Sequence, residues 1–133
     1  MFPRLYNCLS FRRPPRTLST AFFSSLYLNR NHMSIQQLVD TAIVDNKITI
    51  FSKSWCPYCK KAKALFAEEF PDVEAKVFEL DERDDGAAIQ DYLLKKSGQR
   101  TVPNVYVNGE HVGGSDDVRA SFNQGALTKL VRA

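Results

Sequence analysis

The 133 residues suffice for one compact domain with a hydrophobic core and are too few for two ordinary ones. With 44% hydrophobic and 25% charged residues, the composition excludes a disordered or fibrous chain, and three cysteines, one far upstream at Cys8, are too few for a secreted disulfide scaffold, so a reducing compartment fits better. The formal charge of +3 divides unevenly: residues 1–32 carry five arginines and no acid, whereas from Met33 onward 13 basic residues meet 15 acidic ones, which gives nucleic acid no electrostatic support as a partner.

The first segment, residues 1–32, has the composition of a mitochondrial transit peptide: Arg-bearing, Ser-bearing, acid-free and dotted with Phe and Leu. Arginines interrupt its apolar residues as far as Arg16, unlike the unbroken core of a secretory signal. The stretch from Leu18 to Leu28 is too short and serine-rich to span a bilayer, so no membrane is expected as a partner. Met33 stands where the leader ends and residues 33–133 begin a periodic domain; initiation there would yield a cytoplasmic form without the leader.

In the domain, "SIQQLVDTAIVDN" spaces apolar residues for a helix with Ser34 as its cap, and "KITIFS" reads as a buried strand. "PYCKKAKALFAEEF" starts a helix at Pro57 and ends before Pro71. "AKVFEL" is a second strand, and "DDGAAIQDYLLKKSG" a helix with acids in its first turn and Gly98 as its stop. "NVYVN" and "EHVG" are two strands joined by Asn108-Gly109, a two-residue hairpin signal. "SDDVRASFNQG", capped by Ser115 or Asp116, and "ALTKLVRA" close the chain as helices. This order predicts an α/β domain with a four-stranded mixed sheet and helices on its faces.

Cys56 and Cys59 form the one motif that carries chemistry. A zinc site lacks its second half, since only Cys8, His32 and His111 remain as ligands of that kind. A structural bridge closing so short a loop would remove little entropy from the unfolded chain. Position is more informative: Cys56 follows a strand and precedes Pro57 at a helix start, where unpaired N–H groups and the positive end of the dipole favour a thiolate. Lys53, Lys60 and Lys61 are expected to add positive charge around it. Cys59 lies a turn further in, so Cys56 reads as the nucleophile and Cys59 as the resolving thiol of a redox pair.

The spelling "CPYC", followed at distance by "GQRTVPNVYVNGEHVGGSDD" with "LDERDDGAAIQDYL" between them, closely resembles the dithiol glutaredoxins over roughly residues 34–132, most of all the fungal type with a targeting leader. The resemblance implies a thioredoxin fold, and glutathione-dependent reduction of protein–glutathione mixed disulfides and protein disulfides, in service of cell redox homeostasis. It implies that Pro103 is a cis-proline facing the cysteines and that the Val102 backbone is free to pair with an extended peptide. It assigns Lys53, Gln90 and Arg100 to the glycine carboxylate of glutathione, and Tyr58 to the flank of the nucleophile. The N–H groups at Ser115 and Asp116 suit the γ-glutamyl carboxylate, and an Asp side chain suits its amine. Read singly, most of these residues would pass for solvated surface, and Pro103 for a trans proline opening a strand.

Trp55 departs from the family, where a small or hydroxylated residue is more frequent; it is similar to the tryptophan preceding the pair in thioredoxins. The expectation is a monomer with no tightly bound cofactor and no metal, using glutathione as co-substrate. The rival reading is a carrier in which two chains hold an iron–sulfur cluster through Cys56 and glutathione, which the stiffening Pro57 and the family's "CPYC" form disfavour. Cell fractionation with an antibody to the domain should find a shortened mitochondrial species; a single full-length band confined to the cytosol would refute both the leader and the Met33 start.

Overall fold

The computed structural model describes residues 33–133; the leader expected over residues 1–32, with Cys8 and His32, lies outside them. Ser34 opens α1 (Ile35–Asp45) as predicted, its hydroxyl accepting the Gln37 N–H at 3.1 Å while the Gln37 side chain accepts the Ser34 N–H at 3.2 Å. Val39, Ala42 and Ile43 form its buried stripe. β1 (Ile48–Ser52) is buried along its whole length because it lies inside the sheet. β2 (Ala75–Glu79) pairs parallel on one side of it and β3 (Asn104–Val107) antiparallel on the other, with β4 (Glu110–Gly113) beyond β3.

α2 (Pro57–Glu69) and α3 (Gly86–Ser97) connect these strands, and α4 (Ser115–Asn123) and α5 (Ala126–Arg132) follow the hairpin. The strand order β2-β1-β3-β4 with helices on both faces is the thioredoxin-like fold. Alternation along the strands divides the core. Ile48 and Ile50 of β1, with Val105 and Val107 of β3, pack under Leu65 and Phe66 of α2, Phe70 just after it, Val118 of α4, and Leu127 and Val131 of α5. On the other face Phe51 stacks on Phe78 at 5.3 Å and meets the edge of Tyr106 at 6.2 Å, covered by α1 and α3 through residues such as Val39, Ile43, Ile89 and Leu93. Thr49, fully buried on that face, donates to the Ala42 carbonyl at 3.1 Å, so β1 buries its hydroxyl satisfied.

Two boundaries differ from the sequence expectation. β2 ends at Glu79, because Leu80 turns into a 3-10 segment (Leu80–Glu82) that buries its own side chain. Helix α3 carries no acid in its first turn: Asp85 is the residue before it, and its carboxylate is taken by Arg83 at 2.8 and 2.9 Å instead of capping the helix. Asn108 and Gly109 adopt φ of 52° and 83°, the left-handed pair that the two-residue hairpin demands.

Gly86 opens α3 for a steric reason: a Cβ there would stand 2.0 Å from the Leu80 carbonyl oxygen, a backbone atom that cannot swing aside. Gly86→Ala should therefore cost about 1–3 kcal/mol in urea unfolding, as overpacking does. An unchanged unfolding midpoint would mean that the Leu80–Gly86 approach does not constrain the fold.

Candidate active site

Strand β1 delivers the chain to Cys56, which is the N-cap of α2 in extended geometry (φ −79°, ψ 120°), with Pro57 as the first helical residue. Its N–H bonds to the Lys53 carbonyl at 3.1 Å, and its carbonyl receives the Lys60 N–H at 3.2 Å. Both thiols are free, but they differ in depth: Cys56 is 6% exposed and Cys59 wholly buried. Burial pushes the Cys56 thiol up, yet the Cys59 N–H, the Cys59 thiol, the Tyr58 N–H and the charge of Lys63 all favour its thiolate, and the balance falls below the ordinary cysteine value. For Cys59 burial wins; proximity to Cys56 adds to it, and help from the Lys53 backbone and the Ser52 hydroxyl does not reverse it, so this thiol is pushed up. The pair is therefore electrostatically asymmetric in the sense the sequence predicted.

Of the lysines expected around Cys56, Lys53 lines a groove with it, whereas Lys60 and Lys61 line neither groove. Lys60 and Lys61 are exposed, with Lys61 lying over the Tyr58 ring at 5.4 Å, while Lys53 lies over the Trp55 ring at 5.8 Å. The lysine whose charge bears on Cys56 is Lys63, missed in the sequence although it stands four residues after Cys59, one helical turn on.

Two half-grooves meet beside Cys56 and share Thr101 and Val102. One, of about 380 Å³, is lined by Lys53, Trp55, Cys56, Gln90 and Arg100; the other, of about 220 Å³, by Tyr58, Pro103, Gly114, Ser115, Asp116 and Asp117. Of the ten residues singled out from the sequence, Cys59 alone lines neither. Trp55 and Tyr58, 65% and 55% exposed, are the large aromatic side chains left in solvent at the mouth.

The shared loop is braced from behind. Gln90 donates to the Arg100 carbonyl at 3.0 Å, and Gln99 donates to the carbonyls of Thr101 at 3.2 Å and Pro103 at 2.9 Å. Buried Asn104 donates to the Gln99 carbonyl at 3.1 Å and stands 2.9 Å from His111 on β4. The Val102–Pro103 bond is cis, and the backbone N–H and C=O of Val102 have no hydrogen-bond partner among the described residues. Arg100 gives its Nε to Asp91 at 3.1 Å.

At the other half-groove the cap differs from expectation. Gly114, not Ser115 or Asp116, is the N-cap of α4, because the Asp117 carboxylate reaches back to accept the Gly114 N–H at 3.0 Å. The Val118 N–H closes the first turn onto the Gly114 carbonyl at 2.9 Å, so Ser115, Asp116 and Asp117 are left with their N–H groups outside the helix ladder. Gln99, Thr101, Asp117 and Lys63 are the site residues that sequence reasoning did not single out.

The protein-family model described as Glutaredoxin matches residues 48–112. The chain is 50% identical over 99 residues to glutaredoxin-1 of Rhizophagus irregularis, covering 74% of this chain and 96% of that one. It is 53% identical over 93 residues to glutaredoxin-C4 of Arabidopsis thaliana, covering 70% and 67% respectively. The crystal structure of a buckwheat glutaredoxin–glutathione complex superposes with a TM-score of 0.70 at 38% identity, over 74% of this chain and 87% of that one.

Because the Cys56 thiol is shifted down and the Cys59 thiol up, alkylation should begin on Cys56 at lower pH than on a free cysteine and rise as pH rises through the lowered value, with Cys59 unlabelled. Peptide-resolved mass spectrometry after iodoacetamide treatment reads both positions; equal labelling of the two at neutral pH would refute the asymmetry.

Proposed function

Given that the chain belongs to the glutaredoxin family and is a glutathione-dependent thiol oxidoreductase, we propose that it reduces protein–glutathione mixed disulfides first, and protein disulfides second, contributing to cell redox homeostasis. The observation that carries this reading is one thiolate-favouring sulfur in the wall of a half-groove that adjoins a second through Thr101 and Val102, while its partner sulfur is wholly buried and lines neither.

In the proposed sequence the Cys56 thiolate attacks the glutathione sulfur of a mixed disulfide. The old S–S bond breaks, the substrate protein leaves as a thiolate that takes a proton from water, and Cys56 is glutathionylated. A second glutathione thiolate then attacks the glutathionyl sulfur, releasing oxidised glutathione and the Cys56 thiolate, which leaves readily because its acidity is raised. With a protein disulfide, Cys56 attacks a substrate sulfur, and Cys59 then attacks Cys56 and expels the reduced substrate. Two molecules of glutathione reduce the Cys56–Cys59 bridge.

Glutathione enters as co-substrate. Its glycine carboxylate is assigned to Lys53 and Arg100, with Gln90 lining the same half-groove and steadying Arg100 through its carbonyl. Its cysteinyl backbone is assigned to the unpaired N–H and C=O of Val102 beside Pro103. The γ-glutamyl carboxylate is assigned to the open N–H groups at Ser115 and Asp116, its amine to the Asp116 carboxylate, and Tyr58 forms the wall between it and the sulfur. One chain supplies every one of these groups, which supports action as a monomer.

In a coupled assay with glutathione, glutathione reductase, NADPH and a glutathionylated peptide, Cys56→Ser should lose at least about a hundredfold in rate while Cys59→Ser stays within a few-fold of the parent chain. Lys53→Ala should raise the KM for glutathione about tenfold, equivalent to about 1.4 kcal/mol, with little change in kcat. Equal loss in the two cysteine variants would overturn the assignment of attacking and resolving thiols.

A further inference from the structure

His111 has no part in the proposed chemistry and lines neither half-groove, yet a chain of hydrogen bonds runs from its ring to the loop that the two half-grooves share. It sits on β4, the outer strand, opposite Tyr106 of β3, and its ring packs on the Tyr106 ring at 5.1 Å. Alternate residues of a strand share a face, so Asn104 lies on the Tyr106 side, within diagonal reach of His111. Asn104 is wholly buried and uses both ends of its amide: Nδ2 donates to the Gln99 carbonyl at 3.1 Å, and Oδ1 stands 2.9 Å from His111 Nε2. An amide oxygen only accepts, so His111 Nε2 carries the hydrogen and donates it. The next link is Gln99, whose Nε2 donates to the carbonyls of Thr101 at 3.2 Å and Pro103 at 2.9 Å, one on each side of Val102. That amide also abuts the second half-groove: a Cβ on Gly114, the cap of α4, would meet Gln99 Nε2 at 3.9 Å and the Pro103 carbonyl oxygen at 3.7 Å.

We propose that His111 is a positioning residue for glutathione: through Asn104 and Gln99 it fixes the Thr101–Pro103 backbone in the setting that presents the Val102 N–H and C=O to the tripeptide. This rests on the reading of the two half-grooves as the glutathione site. His111 lines no part of that site and acts through the loop. It is the one partner of Asn104 Oδ1 among the described residues, and a buried amide oxygen that loses its donor turns to find another. Turning the Asn104 amide withdraws Nδ2 from the Gln99 carbonyl, and Gln99 then loses the anchor that aims its side chain at two carbonyls. Gln90 still holds the Arg100 carbonyl from α3, so the loop loosens at Thr101–Pro103 without detaching. A loop that samples several settings binds only through the competent fraction, so affinity falls, while the chemical step, set by Cys56 at the start of α2, keeps its rate.

The test is a pair of substitutions at His111, which is exposed and leaves no core cavity when changed. His111→Phe keeps a ring on Tyr106 and removes the donor, whereas His111→Gln puts an N–H donor back. In the coupled assay on the full chain, His111→Phe should raise the KM for a glutathionylated peptide about fivefold with kcat within about twofold of the parent chain, and His111→Gln should restore the parent KM. Gln99→Leu, which removes both bonds to the loop at once, should raise the KM about tenfold. An NMR titration with S-methylglutathione, which binds without disulfide exchange, should weaken in the same order, and alkylation of Cys56 by iodoacetamide should keep its parent rate. A merely structural His111 would lower the urea midpoint of His111→Phe and leave KM and the titration where they were. An unchanged KM in His111→Phe, or a KM in His111→Gln as high as in His111→Phe, overturns the inference. A parent chain that neither saturates with the glutathionylated peptide nor responds to S-methylglutathione would instead overturn the reading of the half-grooves as the glutathione site.

Discussion

The chemistry of this domain depends on the junction between β1 and α2. A strand ending at Ser52 and a helix that begins at Pro57 leave Cys56 as the cap, so the N–H groups of Tyr58 and Cys59 face its sulfur instead of carbonyls. Burial alone would make this sulfur a worse acid; the amides, the neighbouring thiol and Lys63 reverse the balance. Cys59, three residues on, is inside the helix ladder and under the protein, where burial dominates. Burial and the helix cap thus set the acidities of two sulfurs three residues apart in opposite directions.

The remaining architecture shapes the grooves beside that sulfur. The two half-grooves share Thr101 and Val102, and that loop would be free to move were it tied only through the chain. Gln90 from α3 and Gln99 from the loop itself fasten its carbonyls, and Asn104 anchors Gln99 to β3. Bracing carbonyls on one side while Val102 keeps its own polar groups unpaired gives a preorganised edge, which lowers the ordering cost of binding a short peptide. The Gly114–Asp117 cap does the same for α4 by fixing where its open N–H groups begin.

Much of this was legible in the sequence, for reasons of locality. Ser34 before a periodic run, Pro57 after a strand, and Asn108-Gly109 between strands are signals whose partners lie within a few residues, and each appears as read. The cysteine pair was legible because its meaning depends on a helix start. What depends on packing was not. Lys60 and Lys61 are nearer to Cys56 in sequence but occupy the outer face of α2, whereas Lys63 is on the inner stripe, and its partner Glu79 arrives from another strand. Ser115 and Asp116 are both good caps by type, yet Asp117 reaches back and starts the helix at Gly114. The resemblance to dithiol glutaredoxins supplied Gln90, Arg100 and Ser115, which spacing alone would have left as ordinary surface positions.

The hairpin at Asn108-Gly109 has a practical corollary. β3 runs antiparallel to β1, so Val107 sits beside Ile48 and Asn104 beside Phe51, which puts the turn at the end of the strands opposite to Cys56. Four ladder positions at about 3.3 Å each make that a distance of more than about 10 Å through packed core. A fluorophore, an affinity handle or a grafted module belongs at this remote bend, where it would leave the grooves beside Cys56 unobstructed.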